Sequence, residues 1–319
     1  MKKILLLHFI SLLMLQLAAQ TKTVNIQGIV KDSTVKSIEI TYVADAQLSK
    51  WENTKLNVVN GAFKASLQIP FPVEITIIYG DKGSIKNYID NDTKVLINTN
   101  GELDIIGSPM QEEYKNEFLP FFQLNDKAFD SLQSFYQRNY PKYGEDWPQS
   151  MQDSAKLLQE KYYSQRGQLL GEYIKRHPNS YVALWDIHYF VALSPVHRYF
   201  DFEKLFSSFS YPMQQQSFIP VLKEKVTASD KMQVGQLFPE EFFKGYEPIQ
   251  SNIRKDNQYY LIDFWYSHCA PCAKGFPKLI EIYNQFHGKG FDIVSISVDK
   301  HEDKGDYLAA IKKHKLVWN

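Results

Sequence analysis

The sequence predicts a multidomain α+β protein: an N-terminal antiparallel β-sandwich, a helical middle region and a C-terminal α/β segment. Three observations carry this expectation. Residues 20–108 alternate apolar and polar at a period of two, residues 109–231 change to helical spacing, and residues 232–319 run strand, helix, strand, helix. At about 150 residues per domain, the 319 residues suit two domains or three small ones. Hydrophobic residues at 44% and charged residues at 23% exclude a disordered or low-complexity chain. Lys+Arg and Asp+Glu balance at 36 each, so no basic footprint for nucleic acid exists. Only 2 cysteines occur, which excludes a small scaffold stapled by disulfides.

Residues 1–19 read as a secretory signal peptide. Lys2 and Lys3 form its charged start, Ile4 to Leu17 its apolar stretch, broken by His8, Ser11 and Gln16, and Ala18 and Ala19 its small-residue end. A membrane helix takes about 20 apolar residues, so this stretch suits a cleaved signal better than an uncleaved anchor. The mature chain is expected to begin near Gln20 in the periplasm or cell envelope, with no stable membrane span. No cysteine lies near the cleavage region to carry a lipid. That compartment permits disulfides.

The β-rich part (20–108) follows from its alternation. Thr23–Val30 and Ser37–Val43 alternate cleanly, and Leu56–Val59 faces Ala62–Ile69 across Asn60-Gly61, a strong hairpin signal. Val73–Tyr79 and Val95–Asn98 are further strands, each closed by turn residues. No titratable cluster stands out here. In the helical region (109–231), a run from Glu112 to Phe129 contains Pro120, and Ser150–His177 is the clearest helix, stopped by Pro178. Tyr181–Leu193 is apolar on most sides, and Phe200–Phe209 and Gln214–Val226 are weaker helices. His177, His188 and His197 have no ligand spacing, so no metal is assigned to them.

The last part (232–319) begins its pattern with Tyr259–Tyr266, a continuous apolar run read as a strand buried on both faces. A helix follows from Pro271 to Phe286, then a strand over Phe291–Val298 and a helix over Asp306–His314. This order predicts a parallel strand pair joined by a crossover.

Chemistry concentrates at Cys269-Ala270-Pro271-Cys272, where the strand turns into the helix. Cys269 falls at the helix N-cap, and Pro271 sits in the first turn, where a missing N–H costs nothing. Free N–H groups and the positive helix end favour a thiolate at Cys269. Comparable sites lower a thiol pKa from about 8.5 to about 3.5–7.5. Cys272, one turn on, can resolve a mixed disulfide formed by Cys269. Asp263 is the only charged residue in its apolar run. Either it is buried and takes the proton from Cys272, or it is a strand-edge carboxylate reached by water. His268 either tunes the neighbouring thiol as an imidazolium or, neutral, shapes a docking surface. Two blander readings stand beside these: a zinc knuckle drawing on His268 or His287, and an inert structural disulfide.

The stretch Asp263-Phe264-Trp265-Tyr266-Ser267-His268-Cys269-Ala270-Pro271-Cys272, with Pro277 and Leu279 after it, resembles the thioredoxin superfamily. It is most similar to the TlpA/ResA-like envelope thiol-disulfide oxidoreductases, often labelled AhpC/TSA. Phe291–Asp299 resembles their next strand, and Gly235–Phe243 their lead-in. The preceding parts resemble envelope members carrying a β-rich N-terminal domain of unknown function and a helical middle. The resemblance implies a C-terminal thioredoxin-like domain whose cysteine pair exchanges disulfides with envelope proteins. It further implies reduction rather than oxidation, electrons from a membrane thiol donor, and no cofactor. Three departures matter: His268 replaces a usual Trp, Gly275 stands where many ResA-like members carry Glu, and the family's cis-proline loop, last two strands and final helix do not follow Asn319. The expectation is therefore an incomplete thioredoxin-like domain from a truncated product or a fragment. The rival reading is a catalytically inactive envelope binding or structural module.

Overall fold

The computed structural model describes residues 21–80, 82–143, 147–192, 194–237 and 258–318. The expected signal peptide and the lead-in from residue 238 onward lie outside the described residues. Two compact units divide the chain, residues 1–235 and 236–319.

The first unit opens with eight strands: β1 (Lys22–Val30), β2 (Ser37–Val43), β3 (Trp51–Asn57), β4 (Ala62–Ile69), β5 (Val73–Tyr79), β6 (Lys82–Ile89), β7 (Thr93–Ile97) and β8 (Leu103–Ile106). They form two four-stranded sheets, in the orders β4-β1-β7-β8 and β3-β2-β5-β6. All pairings are antiparallel except β1 with β7, which run parallel. Alternation sets the faces: along β1, Val24, Ile26 and Val30 are buried while Thr23, Asn25, Gln27 and Ile29 are exposed.

The expected hairpin at Asn60-Gly61 is corrected. Both residues take positive φ (53° and 71°), and Val59 and Ala62 exchange backbone hydrogen bonds of 2.9 and 3.0 Å. The strands on either side then part: β3 pairs with β2, and β4 with β1 in the other sheet. The turn chemistry is that of a hairpin, but the strands on its two sides pair with different partners, so the turn carries the chain between sheets.

Helices of very different lengths follow. They are α1 (Pro109–Glu113), a π-helical turn over Tyr114–Phe118, α2 (Leu119–Phe122), α3 (Asp126–Tyr143), α4 (Gln149–Arg176), α5 (Tyr181–Ala192), α6 (Phe202–Ser208), α7 (Tyr211–Gln214) and α8 (Phe218–Lys231). Ser108 caps α1 by accepting the Gln111 N–H. Pro120 fits because it opens α2. Gln111 in turn accepts the buried Tyr88 N–H at 2.7 Å, tying α1 to β6.

One polar cluster is sealed inside this unit. Asp186 on α5 is 2% exposed, and Arg166 on α4 donates to both its oxygens at 2.8 Å. Lys86 reaches the same carboxylate at 3.5 Å, and the Arg166 guanidinium lies 3.7 Å from the Phe122 ring centre. His188 lines a small apolar cavity with Phe71, Leu184, Trp185, Phe218 and Leu222. Burial, with Lys225 adding to it, pushes its pKa down to about 4. His177 stacks on Tyr173 and sits 3.3 Å from Glu117.

The second unit contains β9 (Tyr259–Trp265), α9 (Ala270–Phe286), β10 (Phe291–Ser297) and α10 (Lys304–His314). The strands are parallel, with Asp263 opposite Ser295 and Trp265 opposite Ser297. Both helices meet the same apolar cluster: Trp265 packs edge-on against Phe276 of α9 and 5.4 Å from Tyr307 of α10. The reading of β9 as buried on both faces is corrected, since only Trp265 is fully buried and Phe264 is 52% exposed. A two-stranded sheet gives each strand one neighbour only, so its continuous apolar run is half covered among the described residues.

Candidate redox site

The site grows from the loop between β9 and α9. Trp265 anchors the end of the strand in the apolar cluster, and Cys269 takes extended backbone angles (φ −77°, ψ 95°) as the N-cap of α9. Its N–H donates to the Tyr266 carbonyl at 3.0 Å, and its own carbonyl accepts the Ala273 N–H at 3.0 Å. The chain thus turns tightly and enters the helix at once. Pro271 lies in the first turn, where no N–H is required.

Cys269 and Cys272 form a disulfide with Cα atoms 5.3 Å apart. Both residues are half-buried. The Cys269 Sγ accepts the Cys272 N–H at 3.2 Å, filling the role a serine oxygen has in an ordinary cap. When the pair is reduced, that N–H and the helix dipole point at a sulfur able to carry negative charge. Among the described residues no group of three or more His, Cys, Asp or Glu side chains that could hold a metal ion is found.

Asp263 is half-buried rather than enclosed. The Ser295 hydroxyl, directly across on β10, donates to its Oδ2 at 3.0 Å, and Ser295 in turn accepts the Trp318 indole N–H at 2.7 Å. This chain fixes the carboxylate's orientation and leaves its second oxygen as an acceptor. His268 is exposed, and its Nε2 lies 3.2 Å from Asp306 Oδ2 at the start of α10. His287 stacks on Tyr283 and lies 3.6 Å from Asp292.

Asp299 is the residue that sequence reasoning overlooked. It sits just beyond β10 and holds the cysteine loop: Ser267 donates its N–H to both carboxylate oxygens at 3.0 Å and its hydroxyl to Oδ1 at 2.7 Å. The Ser297 hydroxyl donates to Oδ2 at 2.6 Å. Burial works to raise the Asp299 pKa, but the hydrogen bonds from Ser297 and Ser267, with His268 nearby, hold it below the usual carboxylate value. Its only sequence signal was a place at a strand's carboxyl end, where α/β sheets gather their functional groups.

Comparison with known proteins bears on this segment alone. A thioredoxin-like family profile matches residues 257–318. No curated protein matches the chain. Among solved structures, the thioredoxin domain of a thiol-disulfide oxidoreductase from Bacteroides vulgatus is 42% identical over 19% of this chain and 41% of that one, with a TM-score of 0.18. The chain therefore spans less than half of that solved domain. The matched region contains β9, the cysteine pair, α9, β10 and α10. Residues 257–318 are the chain's thioredoxin-like domain.

Proposed function

We propose that this is an exported thiol-disulfide oxidoreductase of TlpA/ResA-like character, reducing disulfides of envelope proteins through Cys269 and Cys272. The observation that carries the reading is the place of Cys269: a sulfur at the N-cap of α9, receiving an N–H, with its disulfide partner one turn along. A structural staple across a loop this short adds little stability, whereas exchange chemistry needs this spacing.

In the reducing direction, the Cys269 thiolate attacks one sulfur of a substrate disulfide. The substrate S–S bond breaks, a substrate thiolate leaves, and a mixed disulfide to Cys269 forms. Asp263 accepts the proton from the Cys272 thiol, whose sulfur then attacks the Cys269 sulfur. The second substrate thiolate departs and takes up a proton. Two electrons have passed to the substrate, and the pair is left oxidised, the state of the present structure. A membrane thiol donor restores it by the reverse exchange, and no cofactor enters any step. His268, exposed beside the nucleophile, shapes the surface that a protein substrate meets.

The test is a mass shift on alkylation after mild reduction, followed by turnover of insulin disulfides. Reversible two-electron cycling at Cys269 and Cys272 with turnover supports the assignment. A pair that cycles without turnover contradicts it and favours a binding or structural module.

A further inference from the structure

The loop that presents Cys269 is only four residues long, 266–269 between β9 and α9, and Ser267 in its turn is held by hydrogen bonds. Those bonds run to Asp299, which lies at the carboxyl end of the neighbouring strand. Both carboxylate oxygens are engaged, and the root of the clamp is doubled: the Asp299 N–H donates to the Ser297 hydroxyl at 3.1 Å, and the Val298 N–H to the Trp265 carbonyl at 2.9 Å. Bonds of this charge-assisted kind are about twice as strong as neutral ones. From Ser267 the next backbone donors are those of the cysteine turn itself, Cys269 to Tyr266 and Cys272 to the Cys269 sulfur.

We propose that Asp299 is a positioning residue of the redox site, fixing the Ser267–Cys269 turn so that the Cys269 sulfur stays aligned with the Cys272 N–H. The proposal rests on the oxidoreductase reading above and deepens it. It also has a sign that separates it from plain electrostatics. A carboxylate near a thiolate opposes the negative charge, so removing Asp299 by charge alone would make Cys269 more reactive. Alignment acts the other way: without the clamp the sulfur loses its fixed N–H, and the thiolate becomes rarer. The other charged groups at this loop, His268 and its partner Asp306 on α10, remain in every variant.

The experiment compares Asp299→Asn, Asp299→Ala and Ser267→Ala in the full chain, reading iodoacetamide alkylation of the reduced pair at pH 7 and the pair's reduction potential against glutathione. Asn keeps an acceptor oxygen and discards the charge, so its alkylation rate is expected to stay within about twofold of the parent or exceed it. Asp299→Ala should slow alkylation about tenfold and make the pair more reducing, with Ser267→Ala about threefold slower, in keeping with lost charge-assisted bonds. Alkylation as fast or faster in Asp299→Ala than in Asp299→Asn overturns the proposal. Should Asp299→Ala fail to fold, judged by circular dichroism, Ser267→Ala decides: no slowing there equally overturns it. Absence of insulin turnover in the parent chain sinks the enzyme assignment but leaves these ratios readable, so the two failures are distinct.

Discussion

The two units treat their polar groups in opposite ways. In the first, Asp186 is sealed at 2% exposure and satisfied by Arg166 and Lys86, with the Arg166 guanidinium over the Phe122 ring. In the second, two carboxylates brace the cysteine loop, Asp299 on Ser267 and Asp306 on His268, while Asp263 on β9 is held by Ser295; none of the three is sealed. Its fully buried cluster, among the described residues, is Trp265, Phe276 and Ala310. Burying charge in pairs fixes a scaffold, whereas half-exposed charge beside a helix N-cap can meet a substrate and exchange protons.

That contrast can be broken first at Arg166. Arg166→Ala leaves Asp186 as a buried carboxylate short of its main partner and is expected to cost about 3–5 kcal/mol in urea unfolding of the first unit. A loss under about 1 kcal/mol would mean the cluster is no more structural than a surface pair.

A second measurement concerns His188. Its pKa in the folded protein, about 4, lies below the ordinary 6.5. Between these values the unfolded chain takes a proton that the folded chain refuses. Stability is therefore complete above pH 6.5 and falls as the pH drops toward 4. The full loss is on the order of 3 kcal/mol. Urea midpoints at pH 7.5 and pH 5 should show a drop in the parent that shrinks in His188→Gln. An equal drop in both would remove His188 from the account.

In the second unit, Asp263→Asn should slow release of the mixed disulfide at pH 7 by about a hundredfold, the low end of what a lost general base costs. Stopped-flow resolution of a trapped adduct would measure it, and unchanged kinetics across pH would take Asp263 out of the mechanism. The smallest effect is expected at Gly275, where a Cβ would meet no atom within 4 Å. Gly275→Ala on α9 should stabilise the helix by about 0.5–1 kcal/mol, and thermal unfolding can detect it. A destabilised variant would show that the site needs the glycine.

Much of this was legible in the chain. The period-two runs at Thr23–Val30, Ser37–Val43 and Val73–Tyr79 became β1, β2 and β5, because one face of each strand is buried. The 28-residue α4 lay where its apolar spacing put it. What escaped is non-local. Nothing near Asn60-Gly61 tells a strand which partner it will find, so the turn read as a hairpin while β3 and β4 joined different sheets. β6 and β8 were not recognised, since Lys82–Ile89 and Leu103–Ile106 are too polar or too short to show a clean pattern. At the site, the CxxC pair and Asp263 stood out by residue type and spacing. Asp299 did not, because an Asp after a strand reads as a turn residue until the neighbouring strand brings Ser267 within 3.0 Å. The partner of His268 was hidden for the same reason, 38 residues away in Asp306.

The most direct test of the redox account is the pH dependence of Cys269 alkylation in the Cys272→Ser variant, where no disulfide can form within the pair. The helix N-cap and the Cys272-position N–H should bring half-maximal reactivity well below that of a free thiol, at about pH 3.5–7.5 instead of about 8.5. A midpoint at the free-cysteine value would contradict the assignment of Cys269 as the nucleophile.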